Sequence, residues 1–209
     1  MRNFHFPYFA RNPSEFWGRW HISLSSWFRD YVFFPLGGPY GSTLRWIRNV
    51  LLTFLVTGLW HGAAWNYVLW GLYHGSMLCV YRIKESLHIT KKHSKNPLIK
   101  IISISIFFLL TSLGWILFRS NSIVQVKAIF KVLLFDIGNL QFNAAMPTHA
   151  ALLGLPLFVI IEFIGYSSQG KRLDKVLPTF VWTAIYAAMT FLIILGLANV
   201  PSTFIYFVF

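Results

Sequence analysis

The sequence predicts an all-α protein embedded in a membrane, with roughly five or six membrane segments and further amphipathic or re-entrant helices. Three observations carry that prediction. Hydrophobic residues make up 56% of the 209 and aromatic ones 19%, against 11% charged, and the mean hydropathy is +0.58; few soluble domains show this balance. Apolar runs of near-spanning length recur at residues 50–60, 66–81, 101–118, 150–164 and 176–198. A span needs about 20 mainly apolar residues, so the last run is the clearest and the first two are short unless they tilt or pair. Thirdly, the basic residues gather at the ends of these runs, as orienting loops do.

The chain opens on FHFPYFARNPS, whose prolines stand where the apolar core of a signal peptide would lie, so none is predicted. In ARNPSEFWGRWHISLSSWFRDYVFFPLGG, Asn12 can cap a helix with Pro13 at its first position and Glu15 at its third. Pro35, Gly37, Gly38 and Pro39 end that helix. At 100° per residue Trp17, Trp20, Leu24, Trp27, Phe28 and Tyr31 share one face, with Arg19, Ser23, Ser26 and Asp30 opposite and His21 on the edge of the apolar face. Glu15 and Arg19, four apart, can pair. Such a helix packs inside protein or lines a watery cavity, where polar groups at membrane depth are tolerated.

The runs 50–60 and 66–81 flank GLWHGAAW, residues 58–65, and are read as spans or as a broken, re-entrant pair. After them RIKESLHITKKHSKNPLIK, residues 82–100, carries six Lys and Arg against Glu85 alone, and KRLDK at 171–175 is a smaller version. If both face the cytoplasm, runs 101–118 and 150–164 cross between them and residues 119–149 lie outside. Within that stretch Val124, Ile129, Val132 and Leu133 alternate with Lys127 and Lys131, an amphipathic helix over 120–136 lying at an interface. The net charge of +12 is therefore read as orientation and lipid-headgroup contact, not as a nucleic-acid surface. Cys79, the single cysteine, excludes an internal disulfide and a cysteine metal cluster.

The residue that asks for chemistry is His61. It follows about ten apolar residues, with Gly58, Gly62, Ala63 and Ala64 leaving open space on its flanks and Trp60, Trp65 and Trp70 walling that space. An imidazole in apolar surroundings is uncharged near pH 7 and can accept a proton. Its obvious use is as general base for a hydroxyl attacking an acyl group. The plain alternative is a histidine that only bonds a neighbouring helix. His21 and His74, the latter flanked by Gly71 and Gly75, share the apolar part of the chain and fit packing or interfacial roles. Three such histidines also permit haem ligation by two imidazoles, which would colour the purified protein. The acyl-transfer reading predicts a colourless protein with no bound cofactor and no metal site. No GxSxG, P-loop or HExxH motif occurs, and the six acidic residues are scattered. Asp30 and Glu162 alone among them suit membrane depth, Glu162 as a partner for a neighbouring helix, so paired-carboxylate hydrolysis is not expected.

EFWGRWHISLSSWFRDYVFFPLGG followed by RNVLLTFLVTGLWHGAAWNYVLWGLYHG resembles the membrane-bound O-acyltransferase family, most closely its bacterial alginate O-acetyltransferase branch. GWILFRS at 114–120 and FIYFVF at 204–209 resemble the same branch. The resemblance implies acyl transfer to a hydroxyl by a many-helix membrane protein, with His61 of the WHG motif catalytic and His21 of the RWHIS motif a second functional position. Family members are longer and the match begins in the middle of their pattern, so residues 1–209 read as a single C-terminal portion of such a transmembrane domain, about half of the protein, its N-terminal spans absent. The resemblance further implies an acetyl group drawn from a cytoplasmic donor, acetyl-CoA, and passed towards an exported polysaccharide at a multi-pass bacterial inner-membrane protein. An extracytoplasmic acetyltransferase-like partner or the polysaccharide itself would receive it. Arg19, Arg29, Arg45 and Arg48 are candidates for holding an anionic donor or steadying developing charge, although arginines at an interface often snorkel instead. Asp30, Trp60, Trp65 and His74 complete the candidate substrate contacts. Relatives that transfer D-alanine share the RWHIS-like and WHG-like motifs, and would imply a carrier-protein donor and an envelope polymer as acceptor.

Overall fold

The structure, a computed structural model, describes residues 2–87, 96–136, 149–168 and 178–197, and for 149–153 and 193–197 the backbone alone. All long regular elements among the described residues are helices. They fall into two units, residues 1–140 and 141–209.

In the first unit the predicted helix of residues 12–35 is broken in two. Helix α1 spans Pro13–Trp17, with Asn12 Oδ1 accepting from the Glu15 amide at 2.8 Å and Pro13 in the first turn, as its capping signals require. Glu15 pairs with Arg19 at 3.3 Å as its spacing suggests, and more closely with Arg11 at 2.8 Å. Burial pushes the Glu15 carboxyl up, but hydrogen bonds from the Arg11 side chain and backbone outweigh it and leave the carboxyl below its ordinary value. Helix α2, Ile22–Phe28, runs on into a single π-turn at Arg29–Phe33. Between α1 and α2 His21 adopts φ 43°, ψ 54°, a left-handed conformation that no α-helix continues through. The predicted apolar face is therefore split: Trp17 and Trp20 pack into the core, whereas Trp27 and Tyr31 are exposed. The turn at 35–39 ends the segment as expected, Gly37 and Gly38 taking φ of +110° and +58°.

The two short runs lie on two long helices that pack antiparallel. Helix α3 spans Thr43–His61; its Ser42 cap, accepting from the Arg45 amide at 3.3 Å, lets the polar turn Thr43–Asn49 join the apolar run. Helix α4 spans Trp65–Ser86. A Cβ added at Gly58 would run into the Tyr67 carbonyl, one at Gly71 into the Phe54 carbonyl, and one at Gly75 would lie 3.0 Å from Phe54 Cβ. These contacts run in opposite sequence directions, and each glycine is where one backbone meets the other helix. Gly71 and Gly75 form the small-xxx-small spacing that permits such approach between membrane helices.

Helix α5, Pro97–Arg119, is the one described helix long and apolar enough to cross a membrane by itself. It lies antiparallel to α4, tied by Tyr73 Oη donating to the Leu110 carbonyl at 2.8 Å and Asn66 Nδ2 donating to the Ser120 carbonyl at 2.8 Å. Helix α6, Ile123–Phe135, occupies the predicted amphipathic stretch, but its buried position is Val126, and Val124 is 77% exposed. Packing against α4 and α5 buries the Val126 strip and leaves Val124, on the predicted apolar face, exposed. In the second unit α7, His149–Ser167, and α8, Thr179–Leu197, pack together, with Pro156 inside α7. Glu162 is half-buried on α7 and has no hydrogen-bond partner among the described residues, contrary to the expected helix-to-helix bond. Lys91, Lys92 and Lys95, residues 137–148, KRLDK and FIYFVF lie outside the described residues, and with them most of the loop charge used for topology.

A candidate active site at the end of α3

The first unit is held together by an aromatic cluster drawn from α1, α4 and α5. Phe16 and Trp70 are 1% and 2% exposed, and Phe16 lies 5.9 Å from Phe107 by ring centroids. Trp17 meets Trp70 at 6.0 Å, Trp20 meets Trp115 at 4.9 Å, and Trp115 meets Phe118 at 5.9 Å. Edge-to-face and offset pairs of this kind contribute beyond the area they bury.

His61 stands at the edge of this cluster, in the last turn of α3. Its ring meets Trp60 and Phe118 at 4.9 Å each, Trp70 at 5.2 Å and Tyr67 at 6.4 Å, mostly edge-on. The side chain is half-buried, and no hydrogen bond to it exists among the described residues. An imidazole so held, oriented by rings yet with its nitrogens uncommitted, is free to exchange a proton with a molecule that reaches it. The open space expected around it is narrower than the small residues suggested. Gly58 faces the α4 backbone, and the Tyr67 ring fills the flank of Gly62, 2.7 Å from where a Cβ would stand. Trp60 walls the site while remaining 49% exposed; Trp65, 71% exposed and without a ring contact among the described residues, does not wall it. Phe118 stands in its place.

His21 begins α2, whose other end sets Phe28 against Trp60 at 6.2 Å, and Trp60 meets the His61 ring at 4.9 Å, although 40 residues separate the two histidines. The Nδ1 of His21 is buried with no hydrogen-bond partner among the described residues. A left-handed non-glycine residue costs on the order of 1–3 kcal/mol and persists only where its surroundings enforce it, commonly at functional sites. Here Asn3 enforces it: the Asn3 carbonyl accepts from the Ile22 amide at 2.9 Å, and Asn3 Oδ1 accepts from the Ser23 amide at 3.0 Å and Ser23 Oγ at 2.7 Å.

The other candidates divide. His74 is fully buried, between Trp17 at 5.3 Å and Trp70 at 5.1 Å, with both ring nitrogens unpartnered among the described residues. Gly114 of α5 makes room for it, since a Cβ there would lie 2.5 Å from His74 Nε2. Arg19 is engaged by Glu15 and the Phe6 carbonyl, and Arg29 and Asp30 pair with each other at 2.8 Å on the surface. Arg48 bonds Asn49 at 2.9 Å and the Leu36 carbonyl at 3.4 Å, while buried Asn49 holds the Gly38 carbonyl at 3.1 Å, so both fasten the PLGG turn to α3. Of the four candidate arginines, Arg45 alone has a guanidinium with no partner among the described residues. Sequence reasoning missed Asn3, Asn66, Trp115 and Phe118. Asn66 gave one available signal, an uncharged polar residue directly after the WHGAAW run; the others are brought in by distant segments.

Comparison with known proteins bears on the same residues. The family model of the membrane-bound O-acyltransferases matches residues 2–124, from before Asn3 to the start of α6. The probable alginate O-acetylase AlgI of Pseudomonas aeruginosa is 37% identical over 172 residues, covering 79% of this chain and 31% of the relative. The peptidoglycan O-acetyltransferase of Helicobacter pylori is 41% identical over 130 residues, 62% of this chain and 24% of the relative. The teichoic acid D-alanyltransferase of Bacillus subtilis is 35% identical over 130 residues, 57% of this chain and 32% of the relative. The chain thus spans under a third of the length of each of these three relatives. The matched stretch contains both motif histidines, the Asn3 contacts and the whole aromatic cluster, and the chain belongs to the membrane-bound O-acyltransferase family.

Proposed function

We propose that the protein takes part in O-acetylation of an exported, alginate-like polysaccharide, as an acyltransferase of the bacterial inner membrane that draws on acetyl-CoA, with His61 as general base. The observation that carries this reading is the uncommitted, half-buried imidazole held edge-on by Trp60, Trp70 and Phe118. His61 accepts the proton of the acceptor hydroxyl as that oxygen attacks the acetyl carbonyl. The tetrahedral intermediate then collapses, the carbon–sulfur bond breaks, and the departing thiolate takes the proton from the His61 imidazolium, which returns to its neutral form. General-base assistance of this kind is worth about a hundred- to ten-thousand-fold in rate. His21 steadies the same centre, and Arg45, at the opposite end of α3 from His61, is the arginine whose guanidinium is left free to meet the anionic part of a donor. The immediate acceptor is an extracytoplasmic acetyltransferase-like partner or the polysaccharide itself.

Helices α3, α4, α5, α7 and α8, of 19 to 23 residues, are read as crossing the membrane; at about 1.5 Å per residue each approaches the thickness of the hydrocarbon layer. Native membranes containing the protein, supplied with labelled acetyl-CoA and polysaccharide, should incorporate label into alkali-labile esters, and His61→Ala should abolish it. Incorporation unchanged by that substitution sinks the proposal. A second reading, D-alanyl transfer, is favoured by the Bacillus subtilis relative's likeness over 57% of the chain. Mass spectrometry of the envelope polymer separates ester-linked alanine from acetate. Visible absorption on purification would instead revive the haem reading.

A further inference from the structure

We propose that Asn3 is a positioning residue: it clasps the turn that presents His21 to His61, and so tunes the acyl transfer proposed above, on which this inference rests. Two backbone hydrogen bonds lie across the turn, the His5 amide donating to the Arg19 carbonyl and the Ile22 amide donating to the Asn3 carbonyl, each 2.9 Å. Between them the chain reverses at His21 in its left-handed conformation, and Asn3 Oδ1 closes the far side through the Ser23 amide and hydroxyl. Phe4, the residue after Asn3, packs on Trp20 at 4.9 Å and on the His21 ring at 5.7 Å. A glycine would adopt the same backbone without strain, so the turn is not built for the chain's convenience. What it delivers is an imidazole, with Nδ1 buried and unpartnered, at the start of the helix whose Phe28 packs on Trp60, the ring next to His61. Four hydrogen bonds from a segment 20 residues away in sequence hold a conformation that the local sequence disfavours.

The clasp is tested with Asn3→Ala, which removes the side-chain acceptor, and Asn3→Asp, which restores it. Both are made in the full chain in native membranes, with hydrogen exchange of the peptide covering residues 19–25 read beside transfer kinetics. Asn3→Ala should quicken exchange at the Ser23 amide by about tenfold or more. It should also lower kcat for acetyl transfer about tenfold, with KM within about twofold of the unmutated value. Asn3→Asp should recover both. A purely structural clasp would quicken exchange yet leave kcat per folded molecule unchanged, and that result overturns the proposal. Unchanged exchange overturns it too. Absence of transfer by the unmutated chain overturns the functional reading and this inference with it; the exchange result, which needs no turnover, tells that failure apart from failure of the clasp.

Discussion

His61 and His74 lean on the same indole from two sides, at 5.2 and 5.1 Å from the Trp70 ring, and their surroundings differ in one respect that decides what each can do. His61 ends a helix at the margin of the cluster and keeps a partly open side. His74 stands mid-helix with Trp17, Trp70, Trp115 and Gly114 closing every approach, and is 0% exposed. Both lack hydrogen-bond partners among the described residues. For the margin residue that leaves a proton acceptor available; for the interior one it leaves two polar atoms desolvated at a cost. Residue type and apolar neighbourhood therefore do not assign a role here. Access does.

The largest effect expected from this contrast is on chemistry. His61→Ala should lower acetyl transfer in native membranes by about a hundredfold or more, with the melting temperature of the detergent-solubilised protein little changed, because the ring is at the margin. A comparable loss of stability would mean that His61 is part of the core and would erase the contrast.

Next comes the frame that holds both histidines. Gly71→Ala places a methyl group against the Phe54 carbonyl, and a backbone atom cannot rotate away. The substitution should destabilise the first unit by about 1–3 kcal/mol or more, as overpacking does, read as a lowered melting temperature. Gly154→Ala in α7 is the matched control: its nearest neighbour is the far end of Leu192, 3.9 Å away, so it should be tolerated. Equal losses at both positions would show that the α3–α4 crossing is not the tighter one.

His21 separates backbone from ring. His21→Ala and His21→Gly both remove the imidazole and should both impair transfer, but glycine fits φ 43° without the left-handed penalty. The glycine variant should be the more stable by about 1 kcal/mol. The reverse order would mean that the turn is not held left-handed in the membrane.

How much of this was legible beforehand depended on whether a signal was local. The Asn12–Pro13–Glu15 start of α1, the Glu15–Arg19 pair and the stop at Pro35–Pro39 are dictated by neighbours along the chain, and the structure contains all three. The break at His21 was not legible, because residues 12–35 read as one periodic helix and the hydrogen bonds that interrupt it come from Asn3. The walls of the His61 site show the same limit. Trp60 and Trp70 are near it in sequence and do line it, Trp65 is equally near but exposed and without a ring contact among the described residues, and Phe118 arrives from α5 through the Asn66–Ser120 tie. Periodicity likewise gave the α6 helix but not its buried strip, which only its packing partners select.

His74→Leu should have the smallest effect, and its sign tests whether the interior histidine is packing alone. Leucine fills a similar volume and removes two desolvated nitrogens, each an unsatisfied polar atom worth about 1–3 kcal/mol. It also gives up five ring contacts, with Phe16, Trp17, Trp70, Tyr73 and Trp115, each worth about 0.5–1.5 kcal/mol. The opposing terms nearly cancel, so stability should stay within about 1 kcal/mol of the unmutated protein, and transfer should fall far less than in His61→Ala. A protein that melts normally yet has lost transfer would mean that the cluster opens during turnover and exposes His74. The two histidines would then be successive stations on one path and not a margin and an interior.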